Sequence, residues 1–342
     1  MSLPDRPEHR AYLSKVGVNL ELTVLAGLEF IGWDNCINKN SKVFIKPNLT
    51  FPRYKPGIST TPELLKHLLK LLRSKADKVI LGESDGGNNS FTADEAFDGH
   101  DMRQICEEAG VELVNLSKLP SEIIEDKIAG KKVRVRLPRL LLEEIDCIIS
   151  VPVLKVHAMT GVTLSMKNLW GCHPDPMRCL EHQNLSRKLA LIARTLKPAI
   201  IVVDGIYALD GHGPLFGVPR KTDLIMVADN PVAADSLGAA IMGIPLKRAN
   251  HILYAEKTGV GSSSVKNIGT NEDWEQYKMQ FSVRRTLVDR ATSLLFNSDI
   301  IARLVMKSPL TPLIYKVAAT LRSPEEEELA DDIGKSKIVG PY

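Results

Sequence analysis

Aromatic residues make up only 5% of this 342-residue chain, and its formal net charge is just +3. So little excess positive charge, with no Lys/Arg stripe interleaved by aromatics, argues against a nucleic-acid surface. No apolar stretch reaches the ~18 uncharged residues that a membrane-spanning helix needs. The stretch Met1 to Arg10 is polar and carries acids, unlike a signal or transit peptide. The five cysteines (Cys36, Cys106, Cys147, Cys172, Cys179) are odd in number and scattered. That usage suits reduced thiols better than a disulfide framework, so a cytoplasmic protein is expected. What is present is ordinary for a globular chain: 44% hydrophobic and 25% charged residues, enough for a large core.

The order of elements points to an α/β protein. Residues 18–33 carry Leu20, Leu22, Leu25, Leu28 and Ile31 near helical spacing, and a strand follows at 42–46. Thr61-Pro62-Glu63 is a helix start, and Glu63–Ser74 has a broad leucine face leading to a strand at 78–82. A further helix, Met102–Ala109, ends at Gly110 before a strand at Val111–Leu116. Val133–Leu137 alternates with period two, as an antiparallel or edge strand does. The apolar strand 147–153 precedes a long polar segment, 154–184. Helix Ser186–Leu196, strand 199–204, strand Leu224–Ala228 and helix Pro231–Met242 complete the alternation. The expected architecture is a mostly parallel open sheet with helices on both faces.

After about residue 270 strand signals stop. Helical stretches Trp274–Leu295, Ile300–Met306 and Leu313–Leu321 take over, so residues 1–270 read as the α/β domain and 271–342 as a helical appendage. The appendage is locally basic (Arg284, Arg285, Arg290, Arg303, Lys307, Lys316 and Arg322 against Asp289 and Asp299) and ends in the acidic run Glu325–Glu328. A helical cap on the main domain is the simplest role for it. A basic face also allows weak peripheral association with a membrane or a partner, and nothing in the pattern excludes a homo-oligomer.

Four apolar strands run straight into polar clusters. In an open α/β sheet such exits converge on one rim, where ligands bind. Lys46-Pro47-Asn48 closes the first; proline ends the ladder, and Lys46 offers charge for a carboxylate or phosphate. Gly82-Glu83-Ser84-Asp85-Gly86-Gly87 closes the second. It lacks the Gly-Lys-Ser/Thr of a P-loop and the dinucleotide fingerprint. Its glycines, Gly86 among them, allow a ligand to approach backbone N–H groups, and Glu83 and Asp85 could hold a divalent cation or carry protons.

The densest polar block runs from Lys155 to Gly171. It holds Lys155, His157, Thr160, Thr163, Ser165, Lys167 and Asn168. Spacing of two places Lys155 and His157 on one side of an extended chain, and Thr163, Ser165 and Lys167 likewise if that stretch is extended. A lysine beside His157 lowers its pKa and favours a neutral, proton-accepting imidazole. Cys172-His173 with Cys179-x-x-His182 invites a zinc reading, but the spacing fits no common finger and Pro174 and Pro176 intervene. No metal ligands are assigned, and His182 is read instead as reaching the rim. Asp204, at the fourth exit, and Asp235, on an apolar helix face, are partners to orient a histidine or lysine. Gly211 and Gly213 suggest a tight loop over bound ligand.

As an ordered set these motifs resemble the domain of unknown function 362 family, often found in iron–sulfur-associated proteins. The resemblance spans roughly 40–245 and rests on Lys46-Pro47-Asn48, Lys155-x-His157, Thr160-Gly161, Ser165-x-Lys167-Asn168-x-x-Gly171, His182, Asp204-Gly205-Ile206, Gly211-x-Gly213-Pro214-x-x-Gly217 and Asp229-x-Pro231-x-Ala233-x-Asp235. It implies an α/β domain of largely unassigned activity. Many relatives carry a ferredoxin-like segment, but this chain has no C-x₂-C-x₂-C run, so no iron–sulfur cluster is carried over and the cofactor stays open.

The reading preferred from the residues is a small-molecule enzyme acting by acid–base chemistry on an anionic carboxylate or phosphorylated substrate, as in isomerisation, elimination or hydration. Lys155, His157, Lys167, His182, Asp204 and Asp235 would carry the chemistry. Lys46, Asn48, Glu83, Asp85, Gly86, Thr160, Ser165, Asn168, Gly211 and Gly213 would bind substrate. An oxidoreductase working with an external iron–sulfur or flavin partner, and a non-enzymatic binding module, are the alternatives.

Overall fold

The computed structural model describes residues 8–286, 289–290 and 298–306. The chain opens with β1 (His9–Lys15), α1 (Leu20–Ile31), β2 (Lys42–Lys46), α2 (Pro62–Arg73) and β3 (Lys78–Glu83). Helices α3 (Ala93–Gly99) and α4 (Met102–Ala109) lead to β4 (Glu112–Asn115) and the hairpin β5 (Ser121–Ile128)/β6 (Lys131–Pro138). Then come β7 (Cys147–Ser150), β8 (Val153–His157), β9 (Gly161–Val162), α5 (Leu164–Asn168) and α6 (Leu185–Leu196). A second hairpin, β10 (Ile200–Asp210)/β11 (Val218–Ala228), is followed by α7 (Pro231–Ile241), α8 (Asn250–Lys257) and β12 (Ile268–Thr270).

The main sheet has the order β12-β1-β11-β10-β7-β2-β3-β4. Pairing is parallel from β10 through β7, β2 and β3 to β4, and β11 runs against both its neighbours. Because side chains alternate along a strand, each central strand feeds two cores. Val43, Ile45, Val79, Leu81 and Ile149 meet the leucine face of α2 together with α1 and α4. Phe44, Ile80 and Ile148 face the other way, toward α6, α7 and α8. This is an α/β fold with a mostly parallel sheet and helices on both faces. The sheet leaves the carboxyl ends of β2, β3 and β7 side by side, which positions the site.

Local chemistry sets the helix ends. Asn19 and Asn230 cap α1 and α7 by accepting backbone N–H groups, Thr92 and Glu95 form a reciprocal capping box on α3, and Pro62 and Pro231 occupy first turns. The alternation in β6 buries Val133, Val135 and Leu137 and exposes Arg134 and Arg136. That strand pairs only with β5, in a two-stranded sheet of its own.

Four stretches differ from the sequence expectation. The strand expected over 147–153 is two, since Pro152 has no N–H for the ladder and the chain shifts there. β10 bridges the break, pairing first with β7 and then with β8. β10 also continues past Asp204 through an irregularity near Gly205 to Asp210, so Asp204 lies mid-strand. Residues 164–168 are a short helix, so Thr163, Ser165 and Lys167 do not share a strand face. Finally, the helix expected over Trp274–Leu295 is, up to residue 286, one 3₁₀ turn at Trp274–Tyr277; residues 289–290 are helical, and 287–288 and 291–295 lie outside the described residues. The chain then runs without helix to residue 286, and Val283 bridges to Gly211. Helix Asp299–Met306 forms as expected. The stretch Leu313–Leu321, the basic residues Lys307, Lys316 and Arg322, and the acidic run Glu325–Glu328 lie outside the described residues.

Candidate active site

Lys46, the last residue of β2, is almost wholly buried. Its Nζ lies 2.5 Å from Glu83 Oε2, at the end of the neighbouring strand β3, and donates to the Pro47 carbonyl at 2.7 Å. Glu83 accepts two further bonds, from Leu49 N at 3.2 Å and Ser84 N at 3.0 Å. Its carboxylate is thus committed to the protein. Gly171 lies against this pair; a Cβ there would stand 2.5 Å from Glu83 Oε1 and 2.8 Å from Lys46 Cε. Only glycine permits that approach.

Two asparagines tie the strand ends together. Asn48 Oδ1 accepts from Lys155 Nζ at 3.0 Å, while Asn48 Nδ2 donates to Asn168 Oδ1 at 3.0 Å. Asn168 in turn donates to the Lys46 carbonyl at 2.9 Å and to Ser150 Oγ at 3.2 Å. Lys155 also donates to the Ile58 carbonyl at 2.7 Å. These bonds join β2, β7, β8 and α5 at a single point.

Around that point lies a cavity of about 90 Å³. Lys46, Lys155, Lys167 and Arg178 surround it, with Glu83 as the carboxylate in its wall. The Lys167 ammonium group has no hydrogen-bond partner among the side chains and carbonyls of the described residues. Burial, reinforced by Arg178 and Lys46, pulls its pKa down to about 7. Burial, then the Lys167 and Lys46 charges, also holds Lys155 well below the ordinary lysine range. His157 is pushed well down too, by burial and then by Lys167 and Lys155. Its Nδ1 accepts the Met159 N–H at 3.0 Å, which places the ring proton on Nε2. The lowered pKa favours the neutral imidazole, and His157 borders the cavity with its Nδ1 lone pair already occupied, which leaves Nε2–H a donor instead of a proton acceptor.

Asp204 and Asp235 do not line the cavity. Asp235 is fully buried within α7 and accepts Ser165 N at 2.7 Å and Met166 N at 3.0 Å, at the start of the helix that presents Lys167. Burial raises its pKa to about 8. Asp204 accepts Thr61 N at 2.6 Å and Ile206 N at 3.0 Å, fixing the entry to α2, and burial raises its pKa as well. Their geometry assigns them positioning of backbone, where the sequence suggested orientation of a histidine or lysine of the site.

Other expected site residues divide. Asn48, Gly86 and Asn168 line the cavity with the cations. His182 and Gly213 line an adjoining lobe of about 150 Å³. Burial, then Lys167, brings His182 to about 3. Asp85 turns aside to Ala93 N at 2.8 Å and Asn115 Nδ2 at 3.0 Å, so it does not pair with Glu83 around a cation. Thr160 Oγ1 donates to the Val162 carbonyl, Ser165 takes part through its backbone, and Gly211 holds the Ser282 carbonyl at 3.0 Å. Cys172 is buried with its thiol pushed up to about 12, and His173 lies 3.5 Å from Glu181. Among the described residues no three His, Cys, Asp or Glu side chains gather as a metal-ligand set.

Arg178 is the residue that sequence reasoning missed. It is buried, with Nη1 donating to the Asp85 carbonyl at 2.8 Å and the Asp175 carbonyl at 3.3 Å. Its place in Pro174-Asp175-Pro176-Met177-Arg178, on a loop far from any strand end, gave no periodic signal for it.

The strand-end cluster and its scaffold define the class. Residues 43–240 match the family described as a domain of unknown function, DUF362, and the chain belongs to that family. All of the inner cavity's cations lie inside the matched span. A thylakoid-associated protein of Synechocystis sp. is 28% identical over 249 residues, covering 69% of this chain and 73% of that one. A crystal structure of a protein from Thermotoga maritima aligns with a TM-score of 0.35 and 15% identity, over 56% of this chain and 51% of that one. The chain thus spans about half the length of that structure, a likeness too remote to inform the site. No described helix is long and apolar enough to cross a membrane.

Proposed function

We propose that this protein binds a small oxyanion, carboxylate or phosphate, in the inner cavity and moves a proton on the bound molecule. One observation carries the reading: three lysines and an arginine converge on a cavity in whose wall Glu83 is the one carboxylate among the described residues, and that carboxylate is already bonded to Lys46 and two backbone N–H groups. Arg178 is buried with backbone carbonyls as its hydrogen-bond partners, and a bound anion would offset the cost of its desolvated charge. Arg178, charged at any physiological pH, and Lys46 would hold the oxyanion, with the His157 Nε2–H as a further donor. Lys167, with a pKa of about 7, suits proton transfer at neutral pH. As a neutral amine it would take a proton from carbon next to the carboxylate or carbonyl. The negative charge left on oxygen would face Arg178 and Lys46; the ammonium would then give the proton back to a neighbouring carbon in an isomerisation, or to the departing group in an elimination, of which hydration is the reverse with water supplying the added hydroxyl and proton.

The partner in this reading is a small anionic molecule. The free thiols support a cytoplasmic setting, and the locally basic segment from Arg284 leaves room for peripheral membrane association of the kind the Synechocystis relative's name describes. Deuterium wash-in tests the chemistry before the substrate is known. The protein is incubated in deuterated water with a panel of small carboxylates and phosphorylated metabolites, and carbon-bound deuterium is read by mass spectrometry. Lys167→Met is expected to slow incorporation about 10²- to 10⁴-fold. Incorporation equal in wild type and variant would sink Lys167 as proton carrier. Binding without exchange for every member of the panel would favour a binding module.

A further inference from the structure

The inner cavity adjoins a second lobe. His157, Lys167, Trp170 and Arg178 line both the cationic lobe and the adjoining lobe, so the two share a wall. Their chemistry differs sharply. The outer lobe is walled by Met159, Trp170, Pro214, Phe216 and Cys179, and its volume is about 150 Å³. A largely apolar space of that size accepts about one benzene-sized ring. Its far side is fixed by His212, whose Nε2 lies 2.7 Å from Asp289, and by ring contact between His212 and Phe216 at 5.5 Å.

We infer that the substrate joins one oxyanion head to one flat, apolar group: an aryl-substituted phosphate or carboxylate, with its ring in the outer lobe. This deepens the proposed function and rests on its reading of the inner lobe. Three features carry it. A bare inorganic anion would leave the outer lobe's apolar wall in water, and apolar surface removed from water is the main source of small-molecule affinity. Trp170 borders both lobes and its indole packs against the His173 and His182 rings at 5.3 and 5.8 Å, so an aromatic surface stands next to the charge cluster. And Met159 joins the lobes directly: its backbone N–H fixes the His157 ring while its own position borders the apolar space.

Calorimetric titration of the purified full chain tests this with paired probes, phenyl phosphate against inorganic phosphate and benzoate against acetate. Burying the ring should tighten one or both pairs by about 10- to 100-fold. Met159→Gln and Phe216→Ser, each checked for native circular dichroism, should remove most of that gain and leave the affinity for the small anion unchanged. No gain in either pair, with the small anions still bound, overturns the aryl inference and leaves the oxyanion reading standing. A gain that survives in both variants overturns the placement of the ring. Failure of all four probes to bind takes down the oxyanion reading itself.

Discussion

Replacing Glu83 with glutamine removes the carboxylate that faces a cluster of buried cations, and its cost can be worked from the geometry. The Lys46 ammonium is almost fully buried and lies 2.5 Å from Glu83. Deleting one member of a buried pair leaves the other desolvated and uncompensated, typically at about 3–5 kcal/mol. Against a usual folding stability of about 5–15 kcal/mol this is a large fraction. Glutamine still offers one oxygen, so one of the two N–H bonds from Leu49 and Ser84 survives. Urea unfolding followed by the fluorescence of the three tryptophans reads the loss. Phosphate should then stabilise Glu83→Gln more than wild type, because the variant's cavity wall has lost the Glu83 carboxylate; at a hundred times Kd, mass action gives about 2.7 kcal/mol. The double variant Lys46→Met/Glu83→Leu should recover most of the stability and bind phosphate poorly. A loss below about 1 kcal/mol for Glu83→Gln, with equal phosphate stabilisation of variant and wild type, would refute the reasoning about a charge-strained cavity.

Two further outcomes follow from the same geometry. Gly171→Ala drives a methyl into the Lys46–Glu83 pair and should abolish phosphate binding by calorimetry, whereas Gly87→Ala, on the same cavity wall but with nothing within 4 Å, should leave it intact. Asp235, with its pKa raised to about 8, binds more protons folded than unfolded between about pH 4 and 8, so stability should fall as pH rises through that window. Urea midpoints of Asp235→Asn across those pH values should lose that slope while keeping the opposite rise above pH 7. That rise comes from Lys167, whose folded pKa is depressed to about 7.

Much of this fold is readable from residue order because its signals are local. Pro62 after Thr61, the leucine face of α2 and Gly110 after α4 each mark an element through neighbouring residues, and the structure places α4 at Met102–Ala109 as the pattern indicated. The convergence of Lys46, Glu83, Lys155 and His157 was legible too, since strand polarity alone sends their ends to one rim. Asp204 and Asp235 were readable as important but not in role, because a carboxylate aimed at backbone N–H groups looks the same in sequence as one aimed at a substrate. The helix at 164–168 was hidden for a related reason: the carboxylate that receives its first N–H groups stands seventy residues away along the chain. Arg178 had no signal, being held by two loop carbonyls whose position only the folded chain defines.

The spacing of the site along the chain has a bearing on biosynthesis. Lys46 meets Glu83 across only 37 residues, whereas Asn48 waits for Lys155 across 107 and Lys46 for Asn168 across 122. A chain emerging amino-end first can therefore set its neutralising carboxylate long before the later cations arrive. Each new positive charge then docks against a partner already in place. The last of them, Lys167 on α5 and Arg178 on the 3₁₀ turn beyond it, close the hollow only after the ribosome has delivered both.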